Sequence, residues 1–68
     1  MSNLVRTSMK KGVMLGISNK TMPITVDRLT LYISQGDFEK AKAELKELKI
    51  QVSEVERLMK EIEMIANS

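Results

Sequence analysis

Glu54, Glu56, Glu61 and Glu63 form the densest group of chemistry-bearing side chains in this chain. Carboxylates close together on a helix face can share a proton or hold a cation. Here Arg57 and Lys60 interleave with them, so they read as a solvated, self-neutralising face. The sequence has no His and no Cys. That removes the usual nucleophile–base pairs and the ligands of a structural zinc site. Gly12 and Gly16 lack the GxxxxGK spacing that cradles a phosphate. No catalytic residue, cofactor or metal is expected, and the chain is expected not to be an enzyme.

The second group is basic. Arg6, Lys10, Lys11, Lys20 and Arg28 face only Asp27 within residues 1–28, whereas acidic residues outnumber basic ones over 29–68. A basic head on a mildly acidic body suits an anionic partner, nucleic acid included, or a head-to-tail contact with a second copy. Against nucleic acid, Tyr32 and Phe38 are the only aromatic residues, and no recognition-helix or zinc-finger pattern is present. Lipid binding is not expected, because the long acidic segment mixes both signs on its polar face.

The elements that must position these groups follow from periodicity. Phe38, Ala41, Leu45, Leu48, Val52, Val55, Met59, Ile62 and Ala66 recur at alternating spacings of three and four. This is the seam of a heptad repeat, uninterrupted by Pro or Gly, and it predicts one long helix over about 37–66. Upstream, Val26, Leu29 and Ile33 share a helical face. Pro23 precedes them, Thr25 is placed as N-cap, and Gly36 suits the left-handed residue past the helix end. A short helix over about 25–35 follows. The link through Gly36 and Asp37, with Asp37 capping the long helix, forces an αα-hairpin.

Tyr32-Ile33-Ser34-Gln35-Gly36-Asp37-Phe38-Glu39-Lys40-Ala41, continuing to Leu45, resembles the turn between the helices of a tetratricopeptide repeat. The resemblance implies that Gly36 makes the turn, Phe38 packs inward and Ala41 permits close helix contact. It covers only this stretch. There is no second copy at the family's repeat period and no closing Pro, and the second helix is about twice the family's length. Shared hairpin mechanics is what carries over.

The 68 residues make one small domain, divided into a basic segment over 1–22 and the hairpin over 23–68. Within 1–22, Gly12 interrupts, and the apolar run Val13–Ile17 fits an irregular, a short β or a helical element equally. Met1–Ser8 has no apolar core of a signal peptide and no stretch is long enough to span a membrane, so a cytoplasmic location is expected.

A short helix of about ten residues covers only about 15 Å of a long helix of about 45 Å. The far part of the seam then needs another cover. A second chain is expected there, with Leu45, Leu48, Val52, Val55, Met59 and Ile62 as the dimer seam. Lys42, Lys49, Glu56 and Glu63 flank that seam in an order that favours antiparallel pairing, and two hairpins would form a four-helix or antiparallel coiled-coil assembly. The expected role is a small interaction module acting on an unidentified protein partner: an adaptor, inhibitor or assembly factor of the kind found among bacterial, mobile-element or phage accessory proteins. A nucleic-acid-binding regulator using the basic segment is the alternative, and a purely structural protein the third.

Overall fold

A computed structural model describes residues 3–67; of Asn3 only the backbone is described. It is all-α. Helix α1 (Asn3–Gly16) runs through a five-residue π-helical turn (Ile17–Thr21) into α2 (Met22–Ser34). After a tight turn, α3 (Phe38–Ala66) returns alongside both. The expected hairpin is therefore present, with two arms of similar length. Extents of 50 × 16 × 12 Å and a radius of gyration of 15.4 Å contrast with about 11 Å for a compact chain of this size.

The turn is built as the sequence implies. Gly36 has φ of 73°, which costs a residue with a Cβ about 1–2 kcal/mol. Its N–H donates to the Ile33 carbonyl at 3.0 Å, and the Asp37 N–H donates to the Tyr32 carbonyl at 2.9 Å. Together they close a Schellman motif on the end of α2. Asp37 then caps α3, its Oδ1 accepting from the Lys40 N–H at 3.3 Å. Ala41 is buried where the arms approach. Phe38, by contrast, is 61% exposed, so the inward packing implied by the repeat resemblance does not hold for it.

The π turn has a physical cause in Pro23. A proline inside an α-helix lacks the N–H owed to the carbonyl four residues back, and its ring collides with that carbonyl. Widening the preceding turn relieves both problems, and the Met22 N–H accordingly bonds the Ile17 carbonyl. Thr25, expected as an N-cap, lies inside the continuous helix. It is 2% exposed, and its Oγ1 donates to the Thr21 carbonyl at 3.2 Å.

Of the alternatives for residues 1–22, the helical one holds from residue 3 onward; Met1 and Ser2 lie outside the described residues. Helix α1 packs on the far part of α3. The chain thus covers in cis much of what was expected to need a second copy. Thr7, Lys10, Met14, Ile17, Met22, Thr25, Leu29 and Tyr32 lie on the less exposed side of the first arm. Their spacing is again three and four, except for one step of five across the π turn.

Candidate interaction surface

Helix α3 carries three adjacent lengthwise stripes, and the structure divides them between two faces. Ala41, Leu48, Val55 and Ile62 form one, and Glu44, Gln51, Leu58 and Ile65 the next; all eight are buried or half-buried. These two stripes meet the first arm. The third stripe is left outside: Phe38 is 61% exposed, Leu45 42%, Val52 40% and Met59 46%. Of the six seam residues expected from the sequence, Leu48, Val55 and Ile62 are thus half-buried within the chain. Leu45, Val52 and Met59 remain on the surface.

The exposed stripe does not stand alone. Leu29 and Ile33 of α2 join Phe38, Ala41, Lys42 and Leu45 of α3 around a shallow, largely apolar groove of about 530 Å³. Val26 lies two turns before Ile33 on the same side and is 43% exposed. One broad side of the hairpin is therefore apolar over much of its length. Along its outer edge run Lys42, Lys49, Glu56 and Glu63. Among the described residues, Lys49, Glu56 and Glu63 make no ion pair, and Lys42 meets only the exposed Glu39 at 3.8 Å.

The opposite side carries the ion pairs that join the arms, with Ile24 and Met64 exposed among them. Lys10 Nζ sits 2.7 Å from Glu61 Oε2, joining α1 to α3. Arg57 bonds Glu54 and lies 2.7 Å from Glu61 Oε1. The Lys10 hydrogen bond first, helped by the charges of Arg57 and Lys10, holds the Glu61 carboxyl below its ordinary value despite some desolvation. The hydrogen bond and charge of Glu54, with the charge of Glu61, push Arg57 up. Arg28 Nη1 lies 3.5 Å from Glu44 Oε1, an oxygen that is buried and makes no hydrogen bond.

The basic residues singled out in the sequence do not converge. Arg6 and Lys10 border one groove together with Glu61, Met64 and Ile65. Lys20 and Arg28 border another, of about 480 Å³, which also holds Glu44 and Glu47. Lys11 is exposed. Each groove mixes signs, so the excess positive charge is spread along the arm. Glu44, Glu54 and Glu61 of α3 serve these ion pairs, and among the described residues no group of acidic side chains is arranged to hold a metal. No helix there is long and apolar enough to cross a membrane.

One buried polar pair escaped the sequence reading. Gln51 Nε2 donates to Thr25 Oγ1 at 2.9 Å, with the two residues 6% and 2% exposed. The Thr25 proton is committed to the Thr21 carbonyl, so Thr25 can only accept and the orientation of the amide is fixed. Gln51 Oε1 is left buried without a partner. The available signal was Gln51 standing in register between Glu44 and Leu58 on a stripe that must face something apolar.

Comparison with family models, curated proteins and solved structures gives no match for this chain.

Proposed function

We propose that this chain is a non-catalytic interaction module that acts as a homodimer and offers its remaining surface to a protein partner, as an adaptor, inhibitor or assembly factor. The observation that carries the reading is the exposed stripe of Phe38, Leu45, Val52 and Met59 with Leu29 and Ile33 beside it. A hairpin with so thin a core gains little stability from its own packing, since Ala41 and Leu58 are its only buried apolar residues among those described. Covering the stripe recovers about 1 kcal/mol per half-exposed side chain. That stabilisation is available from a partner and from nothing else in the described chain.

The test is the solution mass by light scattering, for the wild type and for Val52→Asp, with helix content followed by circular dichroism. The wild type should show twice the 7.7 kDa chain mass. Val52→Asp places a charge on the stripe and should halve the mass or unfold the protein. A folded mutant of unchanged mass refutes the reading.

A second reading, nucleic-acid binding, is favoured by Arg6, Lys11 and Lys20, which make no ion pair among the described residues. It predicts binding to DNA or RNA that weakens steeply as salt rises. Binding that is absent at low salt removes it.

A further inference from the structure

We infer that the occupant of the apolar side is a second copy of this chain, laid antiparallel with Val52 on the two-fold axis. This rests on the homodimer reading above and adds its geometry.

Three observations converge on that axis, and a fourth fits the size of the contact. The first is size. Reversal about Val52 sets Leu45 against Met59 and Phe38 against Ala66, the other member of the stripe. Medium side chains meet medium ones, and the largest meets the smallest. A parallel pair would instead stack Phe38 on Phe38 and Ala66 on Ala66, a crowded layer at one end and an empty one at the other.

The second observation is charge. The same reversal brings Lys49 to Glu56 and Lys42 to Glu63, within about one residue, or roughly 1.5 Å, of exact register. Three of these four side chains have no ion pair within the described chain, and the fourth has a loose one. In a parallel pair each would lie level with its own copy, and the opposite charges would be about 10–30 Å apart along the axis.

The third observation is the height of the other arm. The Thr25–Gln51 hydrogen bond fixes α2 against α3, and the neighbours of these two residues on the apolar side are Val26 and Val52. Both valines therefore sit near the axis, and both arms contribute to the contact. The product is a four-helix bundle of two stacked hairpins.

The fourth is area. The chain exposes 5138 Å², against about 4,300 Å² expected for a monomer of its mass. The excess of roughly 800 Å² equals the share that one partner buries in a standard interface.

The absence of cysteine makes the geometry directly testable. Single Val52→Cys, Leu45→Cys and Met59→Cys variants of the full chain are oxidised with glutathione disulfide and run on a non-reducing gel. Ile50→Cys, exposed on another side of α3, reports random collision. Val52→Cys should form a covalent dimer at least tenfold faster than Ile50→Cys. Leu45→Cys and Met59→Cys should each stay monomeric alone and cross-link when mixed. Efficient self-linking of both Leu45→Cys and Met59→Cys would mean a parallel pair and overturn the inference while leaving the homodimer intact. No preferential linking of any of these variants, while the wild type still scatters as a dimer, would place the contact on another face and overturn it too. A wild-type monomer by light scattering would refute the homodimer reading itself.

Discussion

Replacing Gln51 by Leu should raise the stability of this protein. The wild-type amide makes one hydrogen bond to Thr25 at 2.9 Å, worth about 0.5–1.5 kcal/mol net. Against that stands Gln51 Oε1, buried without a partner, a state that costs about 1–3 kcal/mol. Leu removes both and adds apolar burial at a site that is 6% exposed. Thr25 keeps its own donor bond to the Thr21 carbonyl, so no hydroxyl proton is stranded. The balance is a gain of about 1–2 kcal/mol, or about 5–15 °C in Tm for a domain of this size. The assay is thermal unfolding by circular dichroism at matched protein concentration, because an associating protein melts higher when concentrated. A Gln51→Leu variant that melts below the wild type would refute the reasoning. It would mean that Oε1 is satisfied in solution and that the pair stabilises outright. If the variant does melt higher, the role of the pair is to set the register of the arms, the best-attested use of a buried polar group in helical assemblies.

Three further outcomes follow from local geometry. Gly36→Ala should destabilise by about 1 kcal/mol, a purely backbone effect, since a Cβ there meets nothing within 4 Å; denaturant unfolding measures it, and an unchanged midpoint contradicts it. Deleting Asn19 should close the π turn and leave Pro23 in an uninterrupted α-helix at a cost of about 3 kcal/mol. Deletion combined with Pro23→Ala should recover most of that loss, and if the two changes instead add, Pro23 is not the cause of the turn. Glu61 is held below its ordinary value of 4.5, so its ion pairs stabilise in full above that value and fade as pH falls through the lower folded value. The Tm of the wild type should therefore drop more between about pH 6 and about pH 3 than that of Glu61→Gln; parallel curves would contradict it.

The long helix, the Gly36–Asp37 turn and the hairpin were legible because each rests on local rules: an unbroken three-four period, a left-handed glycine and a capping carboxylate. In the first arm, the half before Met22 stayed undecided between helical, β and irregular for equally local reasons. Its residues include Ser8, Gly12, Gly16, Ser18 and Asn19, poor helix formers. Its less exposed side also changes phase by one residue between Ile17 and Met22, so no single period spans it. Helix α3 receives it through tertiary packing that propensity does not report. The same blindness affected the contact surface. With apolar residues on three adjacent stripes, periodicity says that α3 is widely covered. It does not say which two stripes the chain covers itself. Glu44 and Gln51 lie toward the first arm, while Phe38, Leu45, Val52 and Met59 of the heptad seam stand outside it. On α2 the shared face of Val26 and Ile33 is likewise the exposed one, and Thr25 and Tyr32 take the inner positions.

The claim that the outer stripe is covered by a second copy is tested most directly by the melting temperature as a function of protein concentration. A dimer that unfolds to separate chains must melt higher as concentration rises. Over a hundredfold range the wild type should gain several degrees, and Val52→Asp, if it folds, should gain none. A wild-type Tm that stays constant across that range would show that the hairpin folds alone, with Phe38, Leu45, Val52 and Met59 in water.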